Sequence, residues 1–302
     1  RRPPPAEAAA PRALRRAFYP ALTPPVAAAP PAAGTLLVVE PQAALWLLPF
    51  VALVDEQGGW LADRWPLLYA PSAAVLEEIR AEPHRGEPAR LHALIAGNPT
   101  MPPVPEQDGL AVTLAPLPGA EQEAQAIAAL LVPPQTTLLI GAAASLARVQ
   151  AEAPQQEILH LATHGIAYSD DPRASFVALA ASSGDDGLLT VRRVLGWAEE
   201  QGLRADLVTL SACQTGLGRL SGDGMLGLSR AFLIAGARAV LVSQWSVSDA
   251  ATAQLMALFY QEYLAGGDKA TALAQAMQTL RQRTEFAHPR YWAAFSLVGA
   301  AS

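Results

Sequence analysis

The chain has 302 residues, 51% of them hydrophobic and only 16% charged, and a formal net charge of −6 from 27 acidic and 21 basic side chains. That is material for one large core or two ordinary ones, and it argues against a nucleic-acid surface, which carries a basic excess. A single cysteine excludes an internal disulfide and a cysteine-rich metal site; it fits a reducing compartment, so a cytoplasmic location is expected.

Residues 1–33 hold nine of the 26 prolines among alanines and arginines. Such a stretch sustains neither a helix interior nor a sheet ladder and is expected to be a linker. It begins without methionine and lacks the apolar core of a signal peptide, so the chain is expected to be a domain of something longer. The most apolar later stretches are interrupted by Glu40, Pro41 and Pro49, or by Arg230 and Arg238, which suits buried elements rather than a membrane span.

Order begins at "TLLVVEP", a strand, followed by "ALWLLPFVALVD", which Pro49 should divide into two short strands. "PLLYAPS" is a further strand. In "SAAVLEEIRAE", Ser72 can cap a helix with Val75, Leu76 and Ile79 on one face. "RLHALIAGNP" is a strand closing on a Gly-Asn-Pro turn, with His84 on a loop and His92 on a strand, neither given chemistry. The proline-rich "NPTMPPVPEQDG" leads into the helical "GAEQEAQAIAALL". "TTLLIG" and "SLARVQAEA" complete an N-terminal α/β lobe, 34–153, that contains no cysteine and is expected to be non-catalytic.

From residue 154 to 302 the alternation sharpens. Strands "EILHLATHG", "FVALAAS", "ADLVTLSACQ", "ARAVLVSQW" and "YWAAFSLVG" are separated by four helical segments. Near-continuous apolar strands with helices between them predict a mostly parallel sheet covered on both faces. Reactive groups in such sheets collect at the carboxyl edge of the strands.

Two strand ends carry chemistry. "ILHLATHG" delivers His164 just before Gly165, and "LVTLSACQTG" delivers Cys213, 49 residues further on and three before Gly216. A thiol with a pKa of about 8.5 is mostly protonated at neutral pH, and a nearby imidazole supplies the base that makes thiolate. Glycine after each residue would let the backbone turn sharply and present N–H groups to a substrate carbonyl. A lone cysteine beside apolar residues is ordinarily an inert small hydrophobe, and a lone His-Gly after a strand is ordinarily a satisfied core histidine. The pair at this separation matches a thiol-protease pattern better than either residue does alone. His160 and His164 have i, i+4 spacing, which on a helix would suggest zinc. This segment has strand composition and no evident third ligand, so no metal and no cofactor are expected, and His160 should pack against the sheet.

"HLATHG", "DGLLT", "LVTLSACQTGLG", "GDGMLGLSRAFLIAGARAVLVSQWSVSD" and "YWAAFSLVG", with "LLVVEP", "LLYAPS", "GNP" and "LPGAEQEAQAI" before them, resemble in order and spacing the CHAT family of caspase-like proteins over residues 34 to 300. The resemblance implies a caspase–separase type three-layer α/β/α sandwich and a cysteine endopeptidase with Cys213 as nucleophile, His164 as general base and the N–H groups of Gly165 and Cys213 as oxyanion hole. Ser243 would bind substrate backbone, and Trp245 would line a subsite. Asp249 would select a basic P1 residue or, equally, sit at a helix N-terminus for the sake of its dipole; Asp223 has the same ambiguity. Ser246 stands where the family has proline, and Asp170 and Asp171 are expected to be solvated.

The resemblance further implies a bacterial domain that acts on protein or peptide substrates; from charge and hydropathy, neither nucleic acid nor membrane is expected as a partner. It would be latent until a sensor or repeat module in the same chain rearranges loops such as "GLGRLSGDG". Two other readings stand beside it: a catalytically silent scaffold, against which the intact pair speaks, and a different thiol acyl-transfer enzyme, for which no carrier site is evident.

Overall fold

Apolar runs and capped helices become regular elements in a computed structural model that describes residues 31–55, 57–81, 91–107, 110–132, 134–168, 170–214, 222–245 and 247–302. For 105–107, 110–112, 212–214 and 222–226 it describes the backbone alone. The expected linker (all but its last three residues), His84, Ser246 and the loop segment 215–221 lie outside the described residues.

Ten strands form one sheet in the order β1 (Leu37–Val39), β2 (Leu67–Tyr69), β12 (Phe295–Gly299), β11 (Ala239–Ser243), β10 (Leu207–Gln214), β7 (Ile158–Ile166), β3 (Ala93–Pro99), β6 (Thr136–Gly141), with β8 (Phe176–Ala178) and β9 (Leu188–Thr190) continuing from the end of β7. Pairing is parallel except where β12 meets β11 and where β7, β8 and β9 fold back on one another. The segment 34–153, expected as a smaller lobe of its own, shares this sheet. It supplies β1 and β2 on one side of β12, β11, β10 and β7, and β3 and β6 on the other. One continuous apolar core runs through both halves. Fully apolar strands such as "ALIA" can be buried only between layers, so the two stretches complete each other.

Every residue of β7 is buried, so both faces of the sheet centre are covered. Helices α2 (Pro118–Ala128), α6 (Asp249–Leu264) and α7 (Lys269–Arg281) pack together, as do α4 (Val191–Glu200) and α5 (Gly222–Ile234). The capped starts lie where small polar residues precede an apolar stripe. Ser72 Oγ accepts from the Val75 N–H at 3.2 Å, before α1 (Ala73–Ala81). Ser145 caps α3 (Leu146–Glu152), and Asp268 accepts two N–H bonds at the start of α7. Each such cap typically contributes about 1 kcal/mol.

Two local expectations fail. "ALWLLPFVALVD" forms two short 3-10 turns, Ala43–Leu47 and Phe50–Ala52, rather than strands. Pro49 between them has no N–H for a ladder, and Trp46 and Phe50 instead pack their rings on Tyr69, each 6.1 Å away. The proline-rich connection before α2 contains a small hairpin, β4 (Val104–Gln107) with β5 (Leu110–Val112). Among the described residues no helix is long and apolar enough to cross a membrane.

The core carries a pH signature. Burial pushes Tyr69 up to about 12 from the model-compound value of 10.0 and raises Tyr260 and Tyr263 as well. Each contributes stability that is complete below pH 10 and lost as pH rises through its folded-state value. Burial draws the Lys269 ammonium below 10.5, which works in the opposite sense, one group against three. The melting temperature is therefore expected to fall between pH 10 and 12; a flat profile across that window would contradict the assignment.

Candidate active site

β7 and β10 are parallel neighbours, paired without a break from Leu207 opposite Ile158 to Gln214 opposite Gly165. Within that ladder Cys213 stands directly opposite His164, at the carboxyl edge of the sheet. Positions in register on adjacent strands lie about 4.8 Å apart and share a face. The side chain of Cys213 belongs to the residues of which only the backbone is described, so the pair is placed by register alone. β7 runs on through Gly165, which pairs with Gln214 on one side and Val177 on the other. The sharp turn expected at that glycine is not there, because β8 extends the ladder past it.

His164 is buried, 5% exposed. Its Nε2 lies 2.7 Å from the carbonyl oxygen of Ala115, in the segment leading into α2. A carbonyl only accepts, so Nε2 carries the hydrogen and donates it. In the neutral ring the lone pair is then on Nδ1, which is buried and has no partner among the described residues. A histidine held in this way is a base with a fixed tautomer. No sequence pattern could have named Ala115, since a main-chain carbonyl leaves no mark in residue type.

Beside His164 is a cavity of about 150 Å³, lined from β7 by Thr163 and His164, from β10 by Ser211, from α2 by Glu123 and from the first turn of α6 by Asp249 and Thr252. Two carboxylates, and no lysine or arginine, are among the described residues that line it. Asp249 is exposed and follows the Ser248 cap of α6. A Cβ on Gly119 would come within 2.2 Å of Asp249 Cβ, so only glycine lets the starts of α2 and α6 close together here. Asp249 is thus both a cavity residue and a first-turn carboxylate, and both of its expected readings keep a basis.

Glu123 was not singled out from the sequence, although a signal exists. It interrupts the buried stripe Ala120, Ala124, Ile127 of α2, and a carboxylate on an apolar face calls for a partner. It shares a 3.0 Å hydrogen bond with His160 Nε2, while His160 Nδ1 lies 3.3 Å from the Tyr260 hydroxyl, itself 2.9 Å from Thr209 Oγ1. His160 is fully buried on the sheet, in this chain of polar contacts.

Ser243 and Trp245 are not among the described residues that line the cavity. Ser243 ends β11, buried and opposite Phe295 of β12. Trp245 is half-buried, with its Nε1 donating to the Arg290 carbonyl at 3.0 Å. Asp223 is the second residue of α5, and its side chain lies outside the described residues. Asp170 and Asp171 are exposed, and His92 is exposed just ahead of β3.

A mixed, largely parallel sheet between helical layers, with the two positions at its carboxyl edge, is the caspase-like α/β fold. Solved structures share it. The Saccharomyces cerevisiae separase–securin complex superposes with a TM-score of 0.53 over 88% of this chain and 15% of that one, at 15% identity. The Arg specific cysteine proteinase gingipain R does so with a TM-score of 0.57 over 89% and 63%, at 11% identity. Residues 12–300 match the CHAT domain model, and the chain belongs to that family. Tetratricopeptide repeat protein 28 of Homo sapiens is 30% identical over 304 aligned positions, covering 87% of this chain. The chain spans only 12% of that relative's length.

Proposed function

We propose that the domain is a cysteine endopeptidase, latent until a repeat or sensor module of the full-length protein acts on it. The observation that carries this reading is the register that sets Cys213 opposite a histidine whose Nε2–H is tied to a carbonyl, leaving Nδ1 as the base. Nδ1 would take the thiol proton, and the thiolate sulfur would attack the peptide carbonyl carbon. The N–H groups of Gly165 and Cys213 would hold the oxyanion. The C–N bond then breaks as His164 returns the proton to the leaving amine, and water, activated by the same nitrogen, hydrolyses the thioester. The names of the relatives that share sequence support an attached repeat module.

Asp249 and Glu123, with no lysine or arginine beside them among the described lining residues, support a basic side chain at P1. With the full-length protein and its activator, a peptidyl arginine chloromethylketone is expected to alkylate Cys213, read by mass, at least about tenfold faster than aspartate or leucine analogues. Asp249→Asn should erase most of that preference if the acid selects substrate. If the acid serves only the helix dipole, the preference survives and the melting temperature falls. No adduct with any P1 residue would overturn the peptidase reading in favour of a scaffold.

A further inference from the structure

The Gly-Asn-Pro at the end of β3 does more than end a strand. β3 is the neighbour of β7 on the side away from β10, with Gly97 paired to Ala162, two residues before His164. A Cβ on Gly97 would meet Ala124 Cβ at 2.5 Å and the Ala120 carbonyl at 2.7 Å, so the glycine allows α2 to lie directly against the strand end. The next residue, Asn98, is half-buried and adopts φ +44, a left-handed backbone conformation rare outside glycine.

That conformation turns its amide onto the start of α2. Asn98 Oδ1 accepts from the Leu117 N–H at 2.7 Å, and Nδ2 donates to Glu121 Oε2 at 3.1 Å. Leu117 is the residue that precedes α2, and its own side chain makes no cap. Asn98 therefore satisfies from outside one of the donors that a helix start leaves open. Two residues upstream of that donor is Ala115, whose carbonyl accepts from His164.

We infer that Asn98 is a positioning residue of the site: by clamping the Leu117 N–H it holds the Ala115 carbonyl against His164 Nε2 and so determines that Nδ1 is the basic nitrogen. The inference rests on the proposed peptidase for its consequence, but not for its geometry. The chain of contact is short and directional. If the segment before α2 drifts, the carbonyl leaves Nε2, the ring is no longer tied to one tautomer, and the lone pair is shared between its two nitrogens. An asparagine present only to tolerate a left-handed turn predicts something different, because glycine would serve that purpose as well or better.

Asn98→Gly separates the two, since it keeps the backbone conformation and deletes the clamp. The full chain, labelled with 15N in its five histidine rings, reports the tautomer by NMR, with His164 assigned by the resonance lost in His164→Gln. The unaltered chain is expected to show Nε2–H for His164, and Asn98→Gly should show shifts averaged between the two tautomers. Asn98→Asp keeps an oxygen for the Leu117 N–H and should retain the fixed form. In the full-length protein with its activator, alkylation of Cys213 should slow about tenfold in Asn98→Gly and stay within twofold in Asn98→Asp. A tautomer unchanged in Asn98→Gly, or lost equally in Asn98→Asp, overturns the inference. The NMR arm reads the ring and not the thiol. A full-length protein that is never alkylated even with its activator would sink the peptidase and leave the role of Asn98 to be decided by the tautomer alone.

Discussion

His164→Gln is expected to slow alkylation of Cys213 by a peptidyl chloromethylketone at neutral pH by about 10² to 10⁴, the usual contribution of a positioned base. A free thiol is only a few per cent thiolate near pH 7, so loss of the proton acceptor alone should cost a factor of tens. The remainder comes from geometry, because the proposed base, His164, stands opposite Cys213 on the neighbouring strand, with its ring tied to the Ala115 carbonyl. Glutamine is the informative replacement: its amide can still donate to that carbonyl while offering no basic nitrogen. The defect should shrink as pH is raised toward about 9, where the thiol ionises unaided. A His164→Gln protein alkylated at the original rate at pH 7 would remove the dyad from consideration.

The placement of that pair was legible in the sequence to an unusual depth. Both strands are largely apolar runs, and each carries the residue of interest near its end, a short step before glycine. The backbone ladder that joins them follows from neighbouring parallel strands. What the sequence hid is of three kinds. Strand order is non-local: nothing in "TLLVVEP" says that β1 and β2 will extend the sheet beyond β12 rather than lie beside β3. Main-chain chemistry is silent, so the carbonyl that orders His164 had no residue type to announce it. Buried polar pairs announce themselves only in part. Glu123 on an apolar helix face and His160 in an apolar strand each look out of place, and only the fold shows that each is the other's partner. The failure at Pro49 is a matter of chemistry misjudged: an apolar run can be buried in a 3-10 turn as well as in a strand, and a residue without an N–H favours the turn.

Far from the site, Asp206→Asn is expected to destabilise the fold by about 3–5 kcal/mol, the cost of removing one partner from a buried ion pair. Asp206 is the residue before β10, and its carboxylate receives three groups: Arg238 Nε at 3.2 Å, Lys269 Nζ at 2.8 Å and the Tyr263 hydroxyl at 2.8 Å. The charged side chains are at most 4% exposed, so water does little to screen them. Asparagine keeps the shape and removes the negative charge that both cations face. Arg238 keeps its bonds to the carbonyls of Ile79 and Ser302, whereas Lys269, whose ammonium burial already disfavours, loses its counter-ion. Lys269→Met in the Asp206→Asn background should therefore recover a large part of the loss, measured from the shift in denaturant midpoint. A loss below about 1 kcal/mol would class the cluster with exposed pairs. Since whole domains are stable by only about 5–15 kcal/mol, the single change should bring the chain near its unfolding limit. It would do so at the amino end of β10, the strand whose register sets Cys213 opposite His164.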